Sequence, residues 1–299
     1  MTRFSRDSKI AFVGSGVVGG SLAVALSQGG YAVVASASRT FSSAQNLAQW
    51  VPGCIAYKTI QQAADEVDFV FITTSDDAIG PVAVSISWRQ GQGVAHCSGA
   101  ASLDVLQAAV DQGAIAGAFH PLQAISSIEN GSKSIPGTTF GIEGNGEMRA
   151  FLKEAALAIG GNPIFLNSED KVLYHLTGVM MGGLLTTLGA TAAQLWENLG
   201  LTRADGVKAL MPMMRQVSIN LETSGVPAAI AGPYARGDIG TVRKHLETLK
   251  ARTPEVLPLY CELALAGLPF SVEKGTLKPE TADEIRELVE QFRKGSPSP

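Results

Sequence analysis

The sequence predicts a doubly wound α/β domain followed by an all-helical domain. Strand and helix signals alternate through the first half of the 299-residue chain, and a glycine-rich turn separates the first strand from the first helix. Beyond Asn167 the strand signals stop, and apolar residues recur with helical spacing. We therefore place the two domains at residues 1–165 and 166–295, with a disordered tail at 296–299.

Short apolar segments between turn signals define the strands of the first domain. Asp68–Thr74 is a continuous apolar run, which is typical of a strand buried on both faces. A first strand begins at Ile10, and the other predicted strands are Tyr31–Ser36, Cys54–Tyr57, Gln92–Cys97, Ala114–His120, Thr138–Glu143 and Pro163–Leu166.

Helical periodicity and capping residues define the helices. In the first domain they are predicted after the glycine-rich turn and over residues 42–50, 59–66, 102–112 and 147–159. In the second they are predicted over residues 170–196, 202–223, 241–250, 254–265 and 278–293.

Composition narrows the class of protein. The chain is 45% hydrophobic and 17% charged, which is enough for a sizeable core, and its net charge of −4 without a long basic run disfavours nucleic acid as a partner. Cys54, Cys97 and Cys261 are isolated, so neither a disulfide framework nor a zinc site is expected. No secretory signal precedes the first strand, and we expect a cytoplasmic protein without a bound metal.

One uncharged segment resembles a membrane span. Leu176–Trp196 is nearly long enough to cross a bilayer, but it contains several Thr and Gly residues and is flanked by polar sequence. We expect it to be a buried central helix, within the chain or in a subunit interface, and we expect no membrane association.

The glycine-rich turn reads Gly14-Ser15-Gly16-Val17-Val18-Gly19. Gly14 permits the tight turn from strand to helix, Gly16 leaves room for a pyrophosphate, and Gly19 lets the helix pack closely on the strand. The phosphates would contact the free N–H groups at the helix N-terminus. These six residues therefore predict a Rossmann dinucleotide site.

The second strand indicates which dinucleotide binds. An NAD site needs an Asp or Glu after this strand, but the chain reads Ser36-Ala37-Ser38-Arg39-Thr40. Arg39 offers a planar cation for a 2′-phosphate, and Ser36, Ser38 and Thr40 offer hydroxyl donors, so we predict NADP with Ser38 and Arg39 as contacts. The missing acid also disfavours an S-adenosylmethionine site. The alternative is that Arg39 is only a solvated loop charge.

Polar residues follow three consecutive strands, where ligands of an open parallel sheet bind. We assign Thr74, Ser75 and Asp76 to cofactor binding. Ser98 and Gln123 are assigned to substrate binding, and His120 to proton donation. In the simpler alternatives Asp76 or Asp77 caps the next helix, and His96 is a core histidine.

The helical half adds two groups. Lys171 and His175 lie four residues apart on one predicted helical face with Tyr174 beside them, so we assign Lys171 and His175 to proton donation and Tyr174 to substrate binding. In the loop Gly232–Asp238, Arg236 could grip a carboxylate, and Asp238 is assigned to the substrate with it. The alternatives are an ordinary helix start and a local Arg236–Asp238 turn.

The order of these motifs resembles a known family. Ser-Asp-Asp-Ala-Ile, His-Cys-Ser-Gly, Phe-His-Pro-Leu-Gln, Tyr-His and Gly-Pro-x-x-Arg-Gly-Asp follow the glycine turn over nearly the whole chain. Together they resemble bacterial Rossmann-like oxidoreductases with a C-terminal domain of unknown function. That group is similar to pyrroline-5-carboxylate reductases and ketopantoate reductases, within the 6-phosphogluconate dehydrogenase-like superfamily.

The resemblance implies NADP, a helical dimerising domain and a reductase site. The chain departs from the family pattern at Ser75, where Pro is usual, and at residues 180–183 (Met-Met-Gly-Gly), where an Asn often occurs. If that Asn orients substrate, specificity or activity differs here.

We expect an NADPH-dependent reductase of a small carboxylated carbonyl compound, a 2-oxo acid such as ketopantoate, acting as a homodimer through the C-terminal helices. The alternatives are a cyclic-imine reductase of the pyrroline-5-carboxylate type and a non-catalytic NADP-binding sensor or scaffold.

Overall fold

A computed structural model describes residues 3–294 of the chain. The chain forms two compact units that divide between Gly183 and Leu184. The predicted domain end at residue 165 falls inside the first unit, because the helix that begins at Lys171 packs on that unit's sheet. The predicted tail at 296–299 lies outside the described residues.

The first unit contains an eight-stranded sheet with the order β3-β2-β1-β4-β5-β6-β7-β8. The first six strands are parallel, β7 runs antiparallel to β6, and β8 runs parallel to β7. The predicted α/β class is thus confirmed. The strands are β1 Ile10–Val13, β2 Val33–Ala37, β3 Ile55–Tyr57, β4 Phe69–Ile72, β5 Gly93–His96, β6 Ile115–Pro121, β7 Thr139–Gly144 and β8 Asn162–Phe165.

Helices cover both faces of this sheet. They are α1 Val17–Gln28, α2 Phe41–Trp50, α3 Ile60–Asp65, α4 Asp76–Ser85, α5 Gln107–Val110, α6 Ile128–Ser134, α7 Gly146–Ala158 and α8 Lys171–Val179. The continuous apolar run of β4 divides between the two faces: Phe69 and Phe71 pack into one core, and Val70 and Ile72 into the other. Burial on both faces explains why this strand shows no polar alternation.

The second unit is helical, as predicted. Its helices are α9 Leu185–Gln194, α10 Arg203–Ser224, α11 Ile239–Arg252, α12 Leu257–Glu273 and α13 Pro279–Lys294. A core of Val242, Leu246, Leu268 and Ile285 joins the last three. Helix α12 extends beyond the predicted end at residue 265 because the apolar pattern continues through Val272.

The uncharged segment of the second half is exposed within the chain. After α8, a π-helical turn at Met180–Leu184 leads into α9. By length and composition alone, Ser168–Leu199 and Pro254–Glu273 are each long and apolar enough to span a membrane. Only 6% of the apolar window of the first stretch is buried, so the prediction of a helix buried within the chain is wrong.

Candidate functional site

The glycine-rich turn has the geometry that its sequence predicts. Gly14 has a φ of +103°, and a Cβ there would lie 2.7 Å from the backbone of Thr73 and Thr74. At Gly19 a Cβ would collide with the Thr73 side chain, whereas at Gly16 it would meet nothing within 4 Å. The Thr73 hydroxyl fixes the turn by donating a 2.5 Å hydrogen bond to the Gly14 carbonyl. Strand and helix thus pack closely, and open space remains above Gly16.

A cleft of about 770 Å³ opens beside this turn. Among the predicted cofactor residues, Gly14, Ser15, Gly16, Ser38, Arg39, Thr74 and Ser75 line it. Val17, Val18 and Gly19 form the first turn of α1, and Asp76 begins α4 directly after Ser75. Ser43, Lys58 and Thr59 also line the cleft, and none of them was predicted as a cofactor contact.

The charge of this cleft is positive. Ala37 pairs with Tyr57 in the β2–β3 ladder, so Arg39 and Lys58 follow neighbouring strand ends. Both line the cleft, and its lining among the described residues contains no Asp or Glu. Two cations without a carboxylate favour an anion over a ribose hydroxyl pair.

Two hydroxyls in the cleft have no partner. The Oγ of Ser15 and the Oγ1 of Thr74 are buried from solvent and make no hydrogen bond within the described residues. Leaving a buried hydroxyl unpaired costs about 1–3 kcal/mol, so such groups usually mark a ligand or solvent position. A dinucleotide fits this donor set, since its phosphates and amide can accept from both hydroxyls.

Two neighbouring strand ends are joined by one hydrogen bond. The Ser98 Oγ, after β5, donates to the Asp76 Oδ2 at 2.8 Å. The Ser98 Oγ also accepts hydrogen bonds from the N–H groups of Ala100 and Ala101, at 3.3 and 3.0 Å. Asp76 therefore holds the loop after β5 and provides no side-chain cap for its own helix, whose N-cap is Ser75.

His96 is a fully buried member of this edge. Its Nδ1 accepts the Ser98 N–H at 3.2 Å, while its Nε2 has no partner among the described residues. Burial, together with the nearby Lys171 charge, lowers the pKa of His96 to about 3. The imidazole is therefore neutral at physiological pH.

His120 is brought together with Tyr174 and His175 from α8. The His120 Nδ1 lies 3.1 Å from the Tyr174 Oη, and the His120 and His175 ring centroids are 5.6 Å apart. Gly99 makes this approach possible, because a Cβ there would lie 2.7 Å from the His120 Nε2. Burial, His175 and Lys171 lower the pKa of His120 to about 4, and burial raises the pKa of Tyr174 to about 12.

Lys171 lies deeper in the same unit, at 2% side-chain exposure, and its Nζ is 3.3 Å from the Glu143 Oε2. Ser168 donates a short hydrogen bond to the other oxygen of this carboxylate. Burial lowers the pKa of Lys171, although Glu143 opposes that shift. Neither Glu143 nor Ser168 was predicted as a site residue, since no local motif marks either of them.

Gln123 is not brought into this cluster. Its side-chain amide is exposed and donates to the Ser134 carbonyl at 3.0 Å and to the Thr138 hydroxyl at 3.2 Å. These bonds hold the segment between β6 and β7, so the predicted substrate role of Gln123 remains a prediction without geometric support.

Arg236 and Asp238 belong to the second unit. Arg236 is exposed at the end of a 3₁₀ turn, Tyr234–Arg236. The Asp238 carboxylate caps α11 by accepting the Thr241 N–H at 3.0 Å, and this bond lowers the pKa of Asp238. Their predicted contact with substrate remains a prediction.

The described residues contain no group of three or more His, Cys, Asp or Glu side chains placed to hold a metal ion. The three cysteines are free.

Comparison with known proteins identifies both parts of the chain. Residues 3–121 match the model of a Rossmann-like domain, and residues 138–266 match a domain of unknown function, DUF2520. No curated protein matches the sequence.

Several solved structures share the fold. Protein TM1727 from Thermotoga maritima is 23% identical, with a TM-score of 0.69, over 94% of this chain and 99% of that one. A reductive aminase from Aspergillus terreus, in complex with NADPH and ethyl-5-oxohexanoate, is 19% identical, with a TM-score of 0.56, over 97% and 95% of the two chains. A 1-pyrroline-5-carboxylate reductase from Streptococcus pyogenes is 14% identical, with a TM-score of 0.57, over 97% and 100%.

The sequence motifs, the folded glycine turn and these matches lead to one classification. The chain is similar to a Rossmann-like domain over residues 3–121 and to DUF2520 over residues 138–266.

Proposed function

We propose that the protein is an NADPH-dependent oxidoreductase. The observation that carries this proposal is the cleft above Gly16, with two unpartnered hydroxyls, two cations and no carboxylate in its lining. Ser15 and Thr74 would hold the pyrophosphate or the amide of the cofactor, and Arg39 with Ser38 would hold its 2′-phosphate. NADPH as the cofactor is supported by the Aspergillus terreus reductive aminase of similar fold, which is in complex with NADPH.

The polar cluster supplies the groups that a reduction needs. When bound, NADPH supplies a hydride, and the chain must then provide a proton to the oxygen or nitrogen of the substrate. His120, His175 and Lys171 are our proton-donor group, with Tyr174 orienting the His120 ring. The Ser98–Asp76 bond links the loop that holds Gly99, which faces both histidines, to the start of α4, where Ser75 lines the cleft.

The leading substrate class is a small carboxylated carbonyl compound, a 2-oxo acid of the ketopantoate type. Neutral imidazoles beside a lysine ammonium suit a carbonyl oxygen that gains negative charge during reduction. Arg236 is the proposed clamp for the carboxylate, with Asp238 beside it, and Ser98 is the proposed substrate contact at the strand end.

Reduction of a cyclic imine is the second candidate. The similarity to a 1-pyrroline-5-carboxylate reductase and to imine-reducing enzymes favours it. The same cluster could protonate an imine nitrogen, so only the substrate separates the two candidates.

The decisive assay measures NADPH oxidation with two substrate panels, 2-oxo acids and cyclic imines. Turnover of the first panel alone supports carbonyl reduction, and turnover of the second alone supports imine reduction. Submicromolar NADPH binding without turnover of either panel would identify a cofactor sensor or scaffold instead. In that case an Arg39→Ala variant would still test the cofactor assignment, because it should lose the preference for NADPH over NADH.

We also propose that the protein is a homodimer through its C-terminal helices. Exposed apolar side chains line α10, among them Met213 at 66%, Ile219 at 48% and Val217 at 47% exposure. Apolar surface of this extent in adjoining helices is typical of a subunit interface. Sedimentation velocity should give twice the mass of one chain, and Met213→Glu should shift the protein to monomer. A monomeric wild type would reject the dimer.

The cytoplasm is our proposed location, because the free thiols Cys54, Cys97 and Cys261 suit a reducing compartment. Fractionation of cells that express the tagged protein tests this. Recovery in the membrane fraction would favour the apolar helices as membrane contacts instead.

A further inference from the structure

Glu143, the acidic member of the Glu143–Lys171 ion pair, lies in a row of neighbouring residues across the sheet. His96 of β5 pairs with Ala118 of β6, and Ala118 pairs with Glu143 of β7. Residues opposite each other in a ladder point to the same face, so His96 and Glu143 flank Ala118 on one side of the sheet. Ala118 is fully buried and has only a methyl group, which leaves space for a long side chain between its neighbours.

The Lys171 side chain, from α8, reaches Glu143 of this row. Its Nζ lies 3.3 Å from the Glu143 Oε2, and it is close enough to both His96 and His120 to lower the pKa of each imidazole. Three polar atoms of these side chains are buried and make no hydrogen bond within the described residues. They are the Lys171 Nζ, the Glu143 Oε2 and the His96 Nε2. The ion pair is thus the main stabilising interaction of the Lys171 ammonium.

A buried ammonium is costly to maintain without a counter-ion. Removing one partner of a buried ion pair commonly costs 3–5 kcal/mol, and a lysine then tends to lose its proton instead. Asp76 is the other carboxylate that favours the charged lysine. Of the acidic groups, Glu143 contributes most and is the one within ion-pair distance.

We propose that Glu143 is a positioning residue that keeps Lys171 charged and held beside His96 and His120. The positive charge of Lys171 then adds to the effect of burial in keeping both imidazoles neutral, so that their nitrogen atoms stay available to the substrate in one protonation state. This inference rests on the proposed reductase function for its catalytic meaning, but the ion pair and its effect on the histidines can be measured without turnover.

Ring NMR of the histidines provides this measurement. The chain has four histidines, so their ring signals can be assigned with single variants and followed through a pH titration. We compare the wild type with Glu143→Gln, Glu143→Asp and Lys171→Met. Lys171→Met removes one of the charges that lower the pKa of His120, after burial and His175, so this pKa should rise measurably.

Glu143→Gln should raise the pKa of His120 nearly as much, because the lysine loses its counter-ion and then its proton. Glu143→Asp keeps the negative charge and should stay close to the wild type. A His120 pKa in Glu143→Gln equal to that of the wild type, with Lys171→Met still shifted, would overturn the proposal. Amide spectra of each variant, recorded first, identify any variant that does not fold.

The NMR signals of the lysine ε-carbons give a second pH titration. It can be followed even if a histidine ring signal is lost. Lys171 should titrate at lower pH in Glu143→Gln than in the wild type, and an unchanged titration would overturn the proposal. If no substrate is reduced, the proposed function fails while these titrations still decide the role of Glu143. If a substrate is found, the acidic limb of kcat/KM should move with the His120 pKa.

Discussion

The Ser98 hydroxyl donates a 2.8 Å hydrogen bond to the Asp76 carboxylate and so ties the loop after β5 to the start of α4. We expect Ser98→Ala to lower kcat/KM by roughly 10- to 150-fold, because a partly buried bond to a charged group contributes about 1.5–3 kcal/mol. Steady-state kinetics with NADPH checks this. Ser85→Ala is the matched control, since that hydroxyl donates to the Val82 carbonyl of its own helix. Equal activity of both variants would show that the bond does not position the site.

Gly99 keeps the space above the two histidines open. An added Cβ would lie 2.5 Å from the His175 Cδ2 and 2.7 Å from the His120 Nε2. Gly99→Ala should therefore displace both rings and reduce turnover more than tenfold, while the Kd for NADPH stays within a factor of two. Gly146→Ala, where a Cβ meets nothing within 4 Å, serves as the control. Wild-type turnover in Gly99→Ala would remove His120 and His175 from the reaction.

Arg39 and Lys58 give the cleft its positive charge. Removing either cation should weaken NADPH binding by about 1.5–3 kcal/mol, or roughly 10- to 150-fold, and should leave NADH binding nearly unchanged. Isothermal titration with both cofactors measures the difference. The exposed Lys153 on α7 provides a Lys→Ala control outside the cleft. If Arg39→Ala weakens NADH and NADPH equally, the selectivity has another origin.

Buried His96 predicts a pH dependence of stability. Its folded pKa of about 3 lies below the ordinary value of 6.5, so between these two values the unfolded chain binds a proton that the folded protein does not. The free energy of unfolding should therefore be highest above pH 6.5 and should fall by up to about 1.4 kcal/mol per pH unit below it.

His96→Asn keeps an acceptor for the Ser98 N–H but cannot titrate in this range. Urea unfolding between pH 4 and 7 should show a shallower slope for this variant than for the wild type. His245→Asn, an exposed position in the second unit, controls for loss of a histidine. Parallel slopes for His96→Asn and the wild type would contradict the prediction.

Most of the fold follows from local sequence. Every strand of the sheet was predicted because buried strands are short apolar runs with clear ends. Helix α6 was missed, since its sequence Ile-Glu-Asn-Gly-Ser-Lys-Ser has little apolar periodicity. The exposure of the segment after α8 was also missed, because composition cannot tell a helix buried in its own chain from one that faces outward.

The site was predicted only as far as motifs mark it. His120, Tyr174 and His175 stand in motifs or at strand ends, and the structure brings them together. Glu143 was not predicted, because its role depends on the antiparallel register between β6 and β7, which no local pattern encodes. Lys58 was missed for a similar reason, since only the β2–β3 pairing places it near Arg39.

The reversed direction of β7 and β8 also sets how α8 meets β6. The helix runs from the level of Glu143, at Lys171, to the level of His120, at His175. Four residues of helix rise about 6 Å, and the two residues of strand from Ala118 to His120 rise about 6.6 Å. Helix α8 and strand β6 therefore cover nearly the same distance between these residues. A one-residue insertion between Lys171 and His175 would break this match and separate the ion pair from the histidines it adjoins, although every individual residue would still be present.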